Sequence, residues 1–205
     1  MSGPDFSFES AALARGARRV AGVDEVGRGP LAGPVTAAAV VLVPGDIPEG
    51  LNDSKKLSAP RREALAGWIM AHCDWAVAHV GVAEIDALNI HHAAHLAMCR
   101  AIAGLRQPPG HVLVDGNRLP RDLNLSAEAV VKGDARCLSI AAASIVAKVL
   151  RDRIMVDLAQ QHPGYGWEAN AGYPTAVHKQ ALLDLGVTPH HRRSFRPIHN
   201  ILCKD

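Results

Sequence analysis

The sequence predicts an α/β fold built on a mixed sheet, and three observations carry that expectation. Short runs of apolar, often β-branched residues recur at Val20–Val23, His111–Val114 and Ala127–Val131, each closed by an acid instead of a hydrophobic turn. Three strand-like runs arrive before the first β-α-β signal, which suggests an antiparallel meander at the start of the sheet. A long helical pattern then follows the last strand, as a layer covering a sheet would.

Residues 1–19 are mixed in character and are expected to be loosely ordered. Val20, Ala21 and Val23 read as a short buried strand that ends in Asp24 and Glu25. Successive residues on a strand face opposite sides, so at least one of these carboxylates should point inward. Burying an ionised carboxylate is costly without a cation or hydrogen bonds to compensate. Gly27, Arg28 and Gly29 follow, with Gly33 beyond them. Glycines let backbone N–H groups come close to another chain, and an arginine suits a phosphate. A strand ending in a polar turn would explain the glycines but not two carboxylates. The stretch therefore points to an acidic metal site beside a phosphate-handling loop.

Val35–Val43 reads as a second strand, broken by Pro44, Gly45 and Pro48. The polar loop L-N-D-S-K-K-L-S (51–58) leads into a helix with Ser58 as N-cap, Pro60 in the first turn, and Leu65 and Ile69 facing inward. Trp75–Val82 alternates as a third strand. Ala83–Leu105 is helical, in two pieces around Asn89. His91, His92 and His95 lie there at i, i+1 and i+4, without an acid nearby in sequence, and read as structural or solvated. His111–Asn117 and Ala127–Asp134 repeat the pattern of strand then acid, at Asp115 and Asp134. Cys137–Gln160 is the longest helix, with Ile140, Ala143, Ala147, Leu150, Ile154 and Leu158 as its apolar stripe. Ser144, Lys148 and Arg151 form a polar stripe that a solvated face explains as well as a binding one. Past His162 the text turns rich in glycine and aromatic residues, with a short helix near 175–186. The tail 188–199 holds three arginines, three histidines and no acid. A boundary near residue 160 divides a main domain, 20–160, from a small helical lobe, 161–205.

Apolar content of 48% and charged content of 20% fit an ordinary globular chain, and a net charge of +2 argues neither for nor against nucleic acid. Cys73, Cys99, Cys137 and Cys203 are widely spaced, which disfavours a zinc cluster or a disulfide framework. The N-terminus lacks an apolar leader and no stretch reaches the length of a membrane span, so a cytoplasmic protein is expected. Nothing suggests an oligomer, and a monomer is expected.

Three strands ending in acids imply a single site, because adjacent strand ends in an open α/β sheet converge on one edge. Four carboxylates there would repel one another unless divalent cations sat among them. Mg²⁺ and Mn²⁺ favour such oxygen ligands, and a pair of ions can stabilise both the attacking and the leaving oxygen of a phosphoryl displacement. The bland alternative is a set of unrelated surface acids.

The chain resembles the bacterial type 2 ribonucleases H (ribonuclease HII) over nearly its whole length from about residue 20. The resemblance rests on A-G-V-D-E-V-G-R-G-P-L-A-G-P-V (21–35), L-N-D-S-K-K-L-S (51–58), V-D-G-N (114–117), V-V-K-G-D (130–134), A-A-A-S-I-V-A-K-V-x-R-D (141–152), G-Y-P-T (172–175) and H-H-R-R-S-F (190–195). It implies a ribonuclease H-like five-stranded mixed sheet flanked by helices, with a helical C-terminal lobe. It implies cleavage of the RNA strand of RNA–DNA hybrids and at ribonucleotides embedded in duplex DNA, within DNA replication and ribonucleotide excision repair. Asp24, Glu25, Asp115 and Asp134 become the catalytic, metal-holding acids for two Mg²⁺ or Mn²⁺ ions. Gly27–Arg28–Gly29 would read the ribose 2′-OH, and Tyr173 would stack at the RNA–DNA junction. Asn52, Ser54, Lys55, Lys132, Ser139, Ser144 and Lys148 would contact phosphates. The chemistry agrees: the 2′-OH distinguishes RNA from DNA, a flat aromatic stacks without demanding sequence, and Lys132, Lys148 and Arg192 suit phosphates. Another metal-dependent nuclease of similar fold would not account for both G-R-G and G-Y-P-T. A non-catalytic binding module would have no use for four convergent acids.

Overall fold

The computed structural model describes residues 3–203; the ends of the expected N-terminal segment and C-terminal lobe, residues 1–2 and 204–205, lie outside it. The elements run α1 (Ser7–Ala14), β1 (Val20–Val26), β2 (Val35–Val41), α2 (Ala59–His72), β3 (Asp74–Val80), α3 (Val82–Leu88), α4 (Ile90–Ala103), β4 (His111–Asp115), β5 (Ala127–Val130), a 3₁₀ turn (Gly133–Ala135), α5 (Leu138–Gln161), α6 (Trp167–Asn170), α7 (Ala176–Leu185) and α8 (Arg196–Leu202).

The five strands lie in the order β3-β2-β1-β4-β5. β1, β2 and β3 pair antiparallel, whereas β4 pairs parallel with both β1 and β5. This is the mixed sheet expected from a meander followed by crossovers. Every residue of β2 is buried. Its Ala37, Ala39 and Val41 face one core with α4 residues such as Ala97 and Ala101, while Ala38 and Val40 face another with Ile69 of α2 and Ile145 of α5. A strand covered on both faces reads as a continuous apolar run, and its three alanines let both helix layers approach. The closest approach falls at Gly22, where an added Cβ would stand 2.1 Å from the Ser139 carbonyl carbon. α5 can cross β1 there only because position 22 carries no side chain.

Some expectations need correction. Residues 1–19 are not loosely ordered throughout, because α1 is held by Glu9. The Glu9 carboxylate is buried, and its Oε1 accepts the Ser139 N–H at 2.7 Å and the Cys137 thiol at 3.1 Å. The first amides of α5 lack helical partners, and this acid serves one of them while favouring the positive end of the helix dipole. Ser58 occupies the N-cap position of α2 without a capping bond from its side chain. Of the two readings of the polar stripe on α5, the solvated one fails: Ser144 and Arg151 are buried, Lys148 is half-buried, and Ser139–Ala147 is buried on every side. A helix packed against β1, β2, α2 and α6 has no free face in its first half.

Beyond α5, α6 and α8 were not anticipated. Asp86 of α3 anchors the tail before α8 by accepting the Arg193 and Ser194 amides at 3.0 and 2.9 Å. Met155, Trp167, Leu182 and Ile198 pack with Leu31 and Ala32, so the C-terminal helices close directly over the loop after β1. Among the described residues no helix is long and apolar enough to cross a membrane.

Candidate active site

The parallel register of β1 and β4 brings the acids together. Val23 pairs with Val114, so the next residues, Asp24 and Asp115, come side by side on adjacent strands where the pairing of β1 with β4 ends. Glu25 follows on β1, and carboxylate oxygens of Asp24, Glu25 and Asp115 all lie within 4.8 Å of one another. Asp134 comes from the 3₁₀ turn after β5 and stands outside this trio, with its carboxylate 3.8 Å from Lys55 Nζ. Asp115 Oδ1 accepts the Gly133 amide at 2.7 Å, which ties that turn to the end of β4.

Electrostatics match the crowding. Burial, then the charges of Glu25 and Asp115, pushes the Asp24 carboxyl well above the usual range, against a hydrogen bond from Ser144. Burial also raises Glu25, although Arg28, at 3.2 Å, opposes the shift. Asp134 is raised by burial and by Asp53 and Asp115, with Lys55 pulling the other way. Burial would lower the Lys55 ammonium, but Asp53, Asp134, Asp24 and Asp115 together carry it upward. Glu25 Oε2 is buried with no hydrogen-bond partner. An orphaned oxygen among clustered, all-oxygen donors fits a hard divalent cation such as Mg²⁺ or Mn²⁺. Asp24, Glu25 and Asp115 are the residues placed to hold it.

Gly27–Arg28–Gly29 forms the rim beside the acids. Gly27 adopts φ +93°, and a Cβ there would meet Arg151 Nε at 2.2 Å, so the turn requires glycine. A Cβ on Gly29 would lie 3.3 Å from Tyr173 Cε1, which sets Tyr173 directly across from the turn. Tyr173 is 39% exposed and is thus not a packed core residue.

Arg192, expected to hold a phosphate, is fully buried instead. Its Nη2, Nη1 and Nε donate to the carbonyls of Gly27, Arg28 and Gly33 at 2.6, 3.1 and 3.0 Å. Burial and the charge of Arg151 push its guanidinium down to about 9, so it remains charged at neutral pH. Arg151 adds bonds to the carbonyls of Pro34, Ala171 and Ala32 at 2.9, 3.0 and 3.2 Å. The two arginines clamp the glycine loop by its backbone.

The other expected contacts divide. Ser139 is buried against Cys137, with its amide held by Glu9 at the start of α5. Ser54 and Ser144 are buried and share a 2.9 Å hydrogen bond, which braces the 51–58 loop against α5 beside Asp24. Asn52 accepts the Asp53 amide. Lys148 is half-buried and donates to Asp152 at 2.8 Å. Lys55 and Lys132 remain exposed.

Sequence reasoning missed several neighbours. His91, His95, Asn117 and Arg118 line a cleft of about 360 Å³ together with Glu25, Arg28 and Asp115. The His91 and His95 rings are 4.3 Å apart, and fold topology, not sequence spacing, brings acids to them. Arg151 sat in the recognised polar stripe, but nothing local distinguishes a buried clamp from a solvated arginine.

The sequence model of the family described as Ribonuclease HII matches residues 21–198. The ribonuclease HII of Paracoccus denitrificans is 78% identical over 205 residues, covering 100% of this chain and 98% of that protein. One from Cereibacter sphaeroides is 68% identical over 202 residues, covering 98% and 95%. The crystal structure of ribonuclease H2 from Pyrococcus horikoshii superposes with a TM-score of 0.76 at 29% identity, over 89% of this chain and 96% of that one. A Bst-RNase HIII structure in complex with Mn²⁺, at 20% identity and a TM-score of 0.75 over 94% of this chain and 71% of that one, shares the fold.

Proposed function

The chain belongs to the ribonuclease HII family, and from that premise we propose that it hydrolyses the RNA strand of RNA–DNA hybrids and cuts at ribonucleotides embedded in duplex DNA, using two divalent ions. The observation that carries this reading is the convergence of Asp24, Glu25 and Asp115, with an orphaned Glu25 oxygen, beside a glycine turn facing Tyr173.

Bound Mg²⁺ or Mn²⁺ would offset the carboxylate charge and stabilise the attacking and leaving oxygens of the displacement. The residues of the chain do the rest. Asp24, Glu25 and Asp115 would hold the cation through their clustered oxygens, which bind it in their deprotonated form. Asp134 joins the acid set from the turn after β5, next to Lys55. The Gly27–Arg28–Gly29 backbone meets the 2′-OH without side-chain obstruction, while Arg192 holds the Gly27 and Arg28 carbonyls and Arg151 holds those of Ala32 and Pro34 further along the loop. Tyr173 offers its exposed face to the sugar or base at the junction. Lys55 and Lys132 take phosphates, which position the duplex without reading its sequence.

The test compares an all-DNA duplex, a long hybrid and a duplex with one ribonucleotide. Cleavage of the last two but not the first is expected. Equal cleavage of all three would sink the proposed RNA recognition, and cleavage of none would sink the activity.

A further inference from the structure

A group of buried rings in the C-terminal lobe has no role in the site so far. His178 of α7 and His191 of the tail are completely buried beside Trp167 and Tyr165. His178 Nδ1 lies 2.9 Å from the Tyr173 carbonyl oxygen. His178 Nε2 lies 3.1 Å from Trp167 Nε1 and 3.1 Å from His191 Nε2. His191 Nδ1 lies 3.0 Å from the Thr188 amide nitrogen and 2.9 Å from its hydroxyl.

The protons can be assigned in one way only. An indole N–H donates and never accepts, so His178 Nε2 is bare and its single proton sits on Nδ1, aimed at the Tyr173 carbonyl. The Thr188 amide likewise only donates, so His191 Nδ1 is bare and its proton sits on Nε2, aimed at His178. A second proton on either ring would set donor against donor. Burial lowers His178, and burial together with His178, His190 and His162 pushes His191 down to about 4, so both rings are neutral at physiological pH. His162, His190 and Tyr165 are the titratable groups around the pair, and among the described residues no carboxylate bonds to either ring.

The far end of this chain of bonds is the backbone of the residue that faces the glycine turn. We propose that His178, oriented by His191, is a positioning residue for Tyr173: its Nδ1–H fixes the carbonyl of that residue and so the placement of the ring across from Gly29. This rests on the reading of Tyr173 as the junction platform. Packing alone would need rings of this size but not this order of protons.

Two measurements test it. Nitrogen-15 NMR of the wild-type protein at neutral pH should show His178 as the Nδ1–H tautomer and His191 as the Nε2–H tautomer; the reverse at His178 overturns the proposal. His178→Gln removes the Nδ1 donor, and loss of one such bond should lower kcat/KM about fivefold on a duplex with one ribonucleotide. The fall should be smaller on a long hybrid. His178→Asn places an amide nitrogen near the Nδ1 position and should restore most of it. In a Tyr173→Ala background, His178→Gln should cost nothing further; additive losses, or equal losses on both substrates, overturn the proposal. A wild-type protein that cuts neither substrate removes the proposed activity and this inference with it, whereas a cutting wild type with additive variants removes the inference alone.

Discussion

Replacing Arg192 with lysine separates two roles for the basic tail. As a clamp, Arg192 serves three carbonyls, those of Gly27, Arg28 and Gly33, from a fully buried position. Lysine keeps the charge but has one nitrogen in place of a planar fork, so about two of the three bonds are lost. Hydrogen bonds to a charged donor contribute roughly 1.5–3 kcal/mol each, and partial rearrangement of the loop brings the expected loss to about 3 kcal/mol. For a chain of this size that lowers Tm by about 6–12 °C. Thermal melting reads the loss directly, and the salt dependence of duplex binding reads the alternative. A phosphate contact removed from the duplex would flatten the slope of log K against log salt by about one. The clamp predicts a lower Tm with an unchanged slope. An unchanged Tm with a flattened slope would return Arg192 to the phosphate.

Other perturbations follow from the same geometry. The folded Asp24 carboxyl keeps its proton to higher pH than in the unfolded chain, so in that window the native state binds more protons and stability falls as pH rises. Asp24→Asn should therefore raise the Tm of the metal-free protein, more above neutral pH than in mild acid; a lowered Tm in chelator would contradict the repulsion. Glu9→Ala removes the cap on α5 and the anchor of α1, and should cost about 1–2 kcal/mol in denaturant unfolding. No change in the unfolding midpoint would make α1 an ornament. Gly22→Ala pushes a methyl into the backbone of α5 and should abolish soluble folded protein or cost more than the roughly 1–3 kcal/mol of ordinary overpacking, as expression and melting would show. A well-folded Gly22→Ala protein of normal Tm would show that α5 can move.

Local pattern was enough for the sheet and for the acids. β1 and β4 announce themselves by apolar runs that reach a carboxylate, β5 by a run followed four residues later by Asp134, and the register of β1 with β4 sets Asp24 beside Asp115. Asp24, Glu25 and Asp115 were therefore legible as a group. What stayed hidden depends on partners distant in sequence. Glu9 finds its amide at Ser139, Arg192 its carbonyls at Gly27 and Arg28, and Arg151 at Ala32 and Pro34. Each is a charged residue in a polar-looking segment, and composition gives such residues to solvent by default. His91 and His95 were dismissed for want of a neighbouring acid, yet α4 delivers both to the cleft of Glu25 and Asp115. Position in space, not spacing along the chain, decided those roles.

The central claim is that the clustered acids hold the ions that cut beside a ribose. Single-turnover cleavage of a duplex with one ribonucleotide, followed against Mn²⁺ concentration for wild type and Asp115→Asn, tests it most directly. The expected result is no cut in excess chelator, a wild-type rate rising more steeply than the first power of Mn²⁺ at low concentration, and an Asp115→Asn rate lower by orders of magnitude with the fold intact. Cleavage that persists in chelator, or an Asp115→Asn rate close to wild type at saturating Mn²⁺, would contradict it.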